Sequence, residues 1–149
     1  MRKISKTYEL AKLFKRKYPL TIAWRLRSHS KVVDNHLNPG EEVLYVFMGQ
    51  KNHSSFDFVN TNLLVLTSKR LIIATKRLLF GYFFIAVTPD MFNDLTVIDG
   101  IIWGRIKIDT IKEEVLLSNI DPKALPEIET KVSDFMIKEK RKYGPRPCK

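Results

Sequence analysis

Two histidines and an aspartate early in the chain are the residue types best suited to hold a metal ion. His29 and His36 are seven positions apart, so they would share one face of a helix, and Asp34 lies between them. Helical zinc sites more often use an i, i+4 pair of histidines with a further ligand. His53 stands alone in a polar stretch. The spacing therefore favours surface or capping histidines, and we expect no metal site and no cofactor.

Nucleophiles and carboxylates are no better placed for catalysis. The single cysteine, Cys148, follows a proline and has no base at a characteristic spacing. Asp90, Asp94, Asp99 and Asp109 fall at predicted turns and strand ends, where aspartate is expected for turn formation. The glycine-rich phosphate-binding patterns and the G-x-S-x-G pattern are absent from the sequence. The sequence therefore predicts no catalytic residues, no small-molecule substrate and no enzyme activity.

The cations of the chain are concentrated at its two ends. Residues 1–36 carry a net charge of +8, residues 37–121 carry −2 and residues 122–149 carry +4. Such asymmetry can attract an anionic membrane, a nucleic acid or an acidic protein, although it also describes an ordinary solvated surface. Nucleic acid is not expected, because aromatic residues do not alternate with lysine and arginine on the predicted strands as an RNA-stacking sheet requires.

A basic amphipathic helix is predicted over residues 4–18, and Pro19 ends or kinks it. The cations proposed to contact an anionic surface are Lys6, Lys12, Lys15, Arg16 and Lys17. In one interpretation Ile4, Tyr8 and Phe14 face lipid while the cations meet the headgroups. In the other, the same apolar arc packs on the rest of the protein. The modest size of the apolar anchor favours the second interpretation.

The sequence favours a cytoplasmic protein. Association with the inner face of the membrane is compatible with that expectation. One cysteine can form no internal disulfide, which fits a reducing compartment. The first 19 residues contain no apolar core of a secretory signal. The longest apolar run, Leu78 to Val87, has ten residues, and a membrane-spanning helix needs about 20.

The tetrapeptide of residues 67–70 separates the apolar runs LLVL and LIIA and is the sharpest turn signal in the chain. Its Arg70 could bind a phosphate or an acidic partner. Alternatively, Thr67 closes a turn, and Arg70 pairs with a nearby carboxylate such as Asp57 or Asp90. We prefer the structural interpretation of Thr67, Lys69 and Arg70.

Short strands and two further helices account for the remaining sequence. A second helix is predicted from about Leu20 to Asn35, and a third begins near Pro126 and carries an apolar stripe at helical spacing. About seven strands are predicted between them, and Asp99-Gly100 indicates a type I′ hairpin turn. The candidate strands, of which the second is weak, are Val43 to Met48, Phe56 to Val59, Leu63 to Leu66, Leu71 to Thr75, Tyr82 to Thr88, Leu95 to Ile98, Ile101 to Asp109 and Val115 to Ile120. Strands that do not alternate with helices argue for an antiparallel sandwich or barrel covered by one long helix.

Several short sequence motifs, in the order in which they occur here, resemble the bacterial pleckstrin-homology-like (PH-like) domains of the YokE-like type. The matching positions are Pro39, Gly40 and Glu41, then Thr67, Lys69, Arg70, Leu71 and Ile72, then Gly81, and lastly the helix from Glu127 to Lys142. The resemblance implies a seven-stranded, partly open β-barrel capped by a C-terminal helix and a domain with no enzymatic activity. It does not imply phosphoinositide binding in the manner of eukaryotic relatives, because residues 49–59 hold only Lys51 and His53 as basic residues.

We therefore expect a mainly β protein in three parts. Residues 1–36 form a basic helical extension, residues 37–142 the PH-like barrel with its helix, and residues 143–149 a flexible tail. The expected function is a non-enzymatic interaction module that scaffolds self-assembly, as a homo-oligomer, or binds a protein partner. The alternative is peripheral binding to anionic membrane surfaces through the basic helix.

Overall fold

Seven antiparallel strands form one sheet in the computed structural model, which describes residues 5–51, 61–77 and 80–142. The strands are β1 Val43–Lys51, β2 Thr61–Thr67, β3 Leu71–Lys76, β4 Tyr82–Val87, β5 Phe92–Ile98, β6 Gly104–Thr110 and β7 Glu114–Ile120. The predicted weak strand of residues 56–59, His53, Asp57, Cys148 and the tail 143–149 lie outside the described residues.

The sheet curls into a barrel that stays open between two edge strands. Its strand order is β4-β3-β2-β1-β7-β6-β5, so β4 and β5 are the edges. The far end of β1 pairs with β7, with Gln50 opposite Ser118, and this short ladder joins the two halves of the sheet. The predicted class, a seven-stranded, partly open antiparallel barrel with a C-terminal helix, is confirmed.

The C-terminal helix, α3 (Leu125–Lys142), packs against β5. Asp121 caps the short 3₁₀ turn before it by accepting a hydrogen bond from the Lys123 N–H at 3.0 Å. A Cβ at Gly104 would lie 2.5 Å from the Leu125 side chain, so the helix approaches β6 at a residue that must be small. The predicted apolar stripe faces the core, with Leu125, Ile128, Val132 and Met136 all buried.

Two N-terminal helices cover the other side of the sheet. The helix α1 (Lys6–Lys17) begins at Ser5, whose hydroxyl accepts a hydrogen bond from the Tyr8 N–H at 3.1 Å. It packs against β1, and α2 (Leu26–His36) packs against β2 and β3. All seven residues of β2 are buried, as expected for a strand covered on both faces. The N-terminal helices therefore share one hydrophobic core with the barrel.

The second helix begins six residues later than predicted. Arg25 adopts a left-handed conformation (φ 56°, ψ 40°) directly before it, which no helix continues through. The preceding residues cross one end of the barrel instead: the Ile22 N–H donates to the Asn119 carbonyl at 2.9 Å, and the Trp24 N–H donates to Thr61 Oγ1 at 3.1 Å. The apolar residues of this segment have helical spacing, but its backbone hydrogen bonds to the strand ends hold it in an extended conformation.

The β5–β6 connection also differs from the prediction. It spans five residues, from Asp99 to Trp103, and neither Asp99 nor Gly100 has the positive φ that a type I′ turn requires. The indole N–H of Trp103 donates to the Leu20 carbonyl at 2.8 Å. The predicted strand from Ile101 therefore begins only at Gly104, because Trp103 is held against the segment that crosses the barrel end.

Candidate functional site

The turn between β2 and β3 is closed by a threonine side chain. Thr67 Oγ1 accepts hydrogen bonds from the Lys69 N–H at 3.2 Å and the Arg70 N–H at 3.1 Å, and the Thr67 N–H donates to the Arg70 carbonyl at 2.9 Å. Lys69 is exposed at the tip of this turn. Thr67 and Arg70 are buried or partly buried, so they are not freely available to a ligand.

Arg70 binds a buried carboxylate at the start of β1. Its Nε and Nη2 donate to the two oxygens of Glu41 at 2.9 and 3.1 Å, and Nη2 also donates to the His36 carbonyl at 2.8 Å. Burial alone would raise the pKa of the Glu41 carboxyl, but hydrogen bonds from Arg70, the Asn38 N–H and Thr67 hold it below its usual value. The carboxylate that Arg70 contacts is Glu41, which the sequence did not suggest as a partner. Of the two examples that the sequence offered, Asp57 lies outside the described residues and Asp90 is not the partner.

The five cations of α1 do not form one free surface. Lys6 pairs with Glu42 at 3.0 Å, and Lys15 donates to the backbone carbonyls of Pro19 and Thr21. Burial lowers the pKa of the Lys15 ammonium. Lys17 pairs with Glu127 at 2.6 Å, while Lys12 lies 4.7 Å from the centre of the Tyr8 ring. Arg16 is exposed and makes no hydrogen bond or ion pair with the residues that the structure describes.

Glu127 ties α1, β1 and α3 together. Its second oxygen accepts a hydrogen bond from the Tyr45 hydroxyl at 2.8 Å. Burial raises the pKa of the Tyr45 phenol, and the contact with Glu127 raises it further. Burial alone would raise the pKa of Glu127 too, but the hydrogen bonds from Lys17 and Tyr45 lower it. Lys17, Tyr45 and Glu127 therefore connect α1, β1 and α3. They lie beside a cleft of about 190 Å³.

The apolar face of α1 is turned towards the protein. Ala11 and Phe14 are buried, and the Phe14 ring meets Tyr45 edge-on with centroids 6.4 Å apart. Phe14 therefore cannot face lipid, as one of the two interpretations of this helix required. The arc packs on the barrel, and Leu13 is the large apolar residue of α1 that remains exposed.

The two histidines proposed and rejected as metal ligands are both engaged by protein groups. His29 is buried, and its Nδ1 accepts a hydrogen bond from the Lys76 N–H at 2.7 Å. His36 Nδ1 lies 2.7 Å from the Val32 carbonyl, and its Nε2 lies 3.1 Å from the Tyr82 hydroxyl. Among the residues that the structure describes, no group of three His, Cys, Asp or Glu could hold a metal ion.

The edge strand β4 is a feature that the sequence did not single out. Its residues, YFFIAV, include no charge, no proline and no glycine, and in the described sheet the strand pairs only with β3. Tyr82 is half exposed and the next four residues are partly exposed. The absence of charge in this run was the available signal, but only the sheet order shows that it forms an edge.

A groove of about 290 Å³ lies beside this edge, at the opening of the barrel. It is lined by Phe84, Ile85, Ala86, Val87, Met91, Thr110, Lys112 and Glu113. One wall is the strand itself, and the other carries one cation and one anion. Within the described ranges, no helix is long and apolar enough to cross a membrane.

Comparison with known proteins found a family model and solved structures that are similar to this chain. The family model described as bacterial PH domain matches residues 37–134. A similar solved structure is a protein from Shewanella loihica with a pleckstrin-homology domain, 14% identical, covering 72% of this chain and 92% of its own, with a TM-score of 0.47. Another is a pleckstrin homology domain from Shewanella amazonensis, also 14% identical, covering 72% and 84%, with a TM-score of 0.48. No curated protein matches the chain.

Proposed function

Since the chain belongs to the bacterial PH domain family, whose model matches residues 37–134, we propose that it is a non-enzymatic interaction module that pairs through the β4 edge. The observation that carries the proposal is an uncharged strand at the edge of the sheet that the described residues form, beside an open groove. Natural sheets usually protect such an edge with charges, proline, bulges or a covering helix, because its free N–H and C=O groups recruit another strand.

The two edges of the sheet differ in how they are protected. The β5 edge carries Asp94, has an irregular register between Phe92 and Asp94, and is packed against α3. The β4 edge carries no charge, and its register with β3 is continuous from Tyr82 to Val87. Its helix contact is with α2, where the His36 ring stacks on Phe84. Strand addition at β4 would also cover part of the groove.

A second copy of this chain is the partner that fits the edge best. Two β4 strands related by a two-fold axis would face each other antiparallel, and such an interface must be complementary to itself. The protein carries a net charge of +10, which opposes association in general. The uncharged β4 strand lets two copies meet without placing like charges opposite each other.

Substitution of Ala86 by lysine tests the proposal. In a two-fold pairing of β4 strands this change places like charges near each other, so we expect it to abolish association. The mass of the wild-type protein in solution, measured by light scattering over a range of concentrations, should exceed the 17.4 kDa of one chain. The variant Ala86→Lys should remain at the mass of a monomer.

A matched change on the other edge is the control. Asn93 is exposed on β5, so Asn93→Lys adds the same charge without touching β4 and should keep the wild-type mass. Thermal unfolding of each variant establishes that it is folded. A wild-type protein that stays monomeric at high concentration would overturn pairing between copies, as would an Ala86→Lys protein that is folded and still oligomeric.

Peripheral membrane binding is a second candidate function. The exposed Arg16, with Lys12 and the ends of α1, supplies cations for an anionic surface. Because Phe14 is buried, however, α1 contributes charge without a large apolar anchor. Such adsorption would be weak and strongly dependent on salt.

A further inference from the structure

The segment that crosses the barrel end exposes an apolar row. In this extended stretch the side chains alternate: Thr21 is 0% exposed and Ala23 5%, whereas Leu20 is 52% exposed and Trp24 58%, with Ile22 between them partly exposed. Alternation itself is ordinary for an extended chain. The direction of this alternation is unusual, because a threonine faces the protein while three large apolar residues face outwards.

Hydrogen bonds fix this orientation. The Ile22 N–H donates to the Asn119 carbonyl at 2.9 Å, and the Ile22 carbonyl accepts from Gln50 Nε2 at 2.9 Å. The hydroxyl of Thr21 accepts from the Asp121 N–H, also at 2.9 Å. Hydrogen bonds thereby connect the Ile22 backbone to β1 and β7, and the Thr21 hydroxyl to Asp121 after β7. The apolar row therefore cannot turn inwards without breaking these contacts.

The β5–β6 loop extends the row. Trp103 donates to the Leu20 carbonyl at 2.8 Å, which holds the loop beside the crossing segment. At the tip of the loop, Ile101 is fully exposed and Ile102 is 58% exposed. We call the combined surface the barrel-end patch, and it consists of Leu20, Ile22, Trp24, Ile101 and Ile102. Clustered exposure of this kind marks a binding surface more often than scattered apolar residues do.

Cations surround the patch. Lys15 contacts the backbone at Pro19 and Thr21, Arg16 is exposed at the end of α1, and Arg25 directly follows Trp24. Arg105 lies exposed at the start of β6. Among the described residues, the acidic groups close to the patch are the exposed Asp99, the exposed Glu129 that lines a cleft with Asp99, and Asp121, which is buried and caps the turn before α3. The rim therefore has an excess of positive charge.

We propose that the barrel-end patch inserts into the headgroup region of an anionic lipid bilayer. Its apolar side chains project from a segment and a loop, a tryptophan stands among them, and cations flank them. Tryptophan favours the boundary between headgroups and acyl chains, exposed isoleucines gain by leaving water for the acyl chains, and the flanking cations attract anionic lipids. An apolar protein partner would use the isoleucines and Trp24 but would gain nothing from the cationic rim. Charge complementarity thus favours the bilayer.

This surface differs from the amphipathic helix suggested by the sequence. There, Phe14 would supply the anchor, but it is buried against the barrel. Here, α1 supplies only cations from its C-terminal end, and the barrel-end patch supplies the anchor. The proposal does not depend on pairing through β4, so each can fail without the other.

Cosedimentation of the full-length protein with vesicles tests the proposal. The vesicles contain phosphatidylcholine with about 30% phosphatidylglycerol, and pure phosphatidylcholine vesicles serve for comparison. The double variant Ile101→Ser/Ile102→Ser should bind the anionic vesicles at least about tenfold more weakly, since two exposed isoleucines no longer enter the interface. Wild-type tryptophan emission should shift to shorter wavelength on binding, and Trp24→Phe should lose that shift.

The control removes two isoleucines of comparable exposure elsewhere. Ile111 is 61% exposed in the β6–β7 turn and Ile137 is 53% exposed on α3, so Ile111→Ser/Ile137→Ser should bind as the wild type does. The variant Ala86→Lys should also keep its affinity for vesicles. The proposal is overturned if the wild type does not bind anionic vesicles, if it binds pure phosphatidylcholine equally well, or if Ile101→Ser/Ile102→Ser binds with unchanged affinity.

Discussion

Glu41 is one residue at which three segments of the chain meet. Its carboxylate accepts hydrogen bonds from Arg70 in the β2–β3 turn, from the Asn38 N–H after α2 and from Thr67 at the end of β2. The Glu41 side chain is 0% exposed and that of Arg70 is 15% exposed. A buried charge pair adds little net stability when complete, but removal of one partner leaves the other charge uncompensated.

We expect Glu41→Ala to lower the free energy of unfolding by about 2–4 kcal/mol, because Arg70 then keeps its charge in a mostly buried position without an anion. Urea denaturation measures this change. Lys69→Ala, one residue from Arg70 but exposed, is the matched control and should change the free energy by less than about 0.5 kcal/mol. Equal effects of the two substitutions would contradict the role assigned to Glu41.

His29 is a second residue whose protonation state matters. Because Nδ1 accepts the Lys76 N–H, the imidazole must be neutral at that nitrogen. Burial, together with the nearby charge of Arg25, lowers the pKa of His29 to about 4. An unfolded chain binds this proton near pH 6.5, so at mildly acidic pH the unfolded state holds more protons than the folded one.

The contribution of His29 to stability should therefore be fully present above about pH 6.5 and be lost as the pH falls towards 4. We expect a decrease of about 1–3 kcal/mol in the free energy of unfolding across this range. Denaturation at pH 7 and pH 5 measures the decrease, and His29→Gln should remove most of it. A pH dependence that is identical in the two proteins would show that another group is responsible.

At the scale of elements, α1 is a packed part of the molecule. Phe14 is 4% exposed against β1, whereas its neighbour Leu13 is 54% exposed. The helix is also joined to the barrel by the pairs Lys6–Glu42 and Lys17–Glu127. These exposed pairs contribute little by themselves, so the apolar contact carries most of the attachment.

Alanine substitutions at Phe14 and Leu13 compare the buried and the exposed face of α1. Phe14→Ala should destabilise the protein by about 3–4 kcal/mol, because it leaves a cavity between α1 and β1. Leu13→Ala should change stability by less than about 0.5 kcal/mol. Thermal or urea unfolding compares the two. If Phe14→Ala were as mild as Leu13→Ala, the helix would not be part of the cooperative core.

The β4 edge and the crossing segment show how an element acquires a role from its surroundings. Residues 20–24 have helix-like spacing of apolar residues, yet they are extended, because the ends of β1, β2 and β7 offer hydrogen bonds to their backbone. The uncharged β4 strand would be unremarkable in the middle of a sheet. We propose that it becomes a pairing surface because the sheet of the described residues ends there.

At the scale of the whole molecule, the basic residues are separated along the sequence, whereas the buried apolar residues form one core. The basic residues lie mainly near the two ends of the sequence, but α1 packs against β1 and α3 against β5, and both helices share the core of the same barrel. Some of the basic excess is paired locally, as Lys17 is with Glu127. The division of the chain at residue 36 stays a prediction, and the helices before it share one hydrophobic core with the barrel.

Short-range periodicity and turn residues in the sequence predict the strands, the order of elements and the C-terminal helix, and the fold agrees with that prediction. The same patterns predict a turn at Thr67, Lys69 and Arg70. That Glu41 is the partner of Arg70, that β4 is an edge and that Leu20, Trp24 and Ile101 face outwards is visible only in the tertiary structure. These facts depend on contacts between residues far apart in the chain, and local patterns do not encode which distant groups compete for the same hydrogen bond or the same buried space.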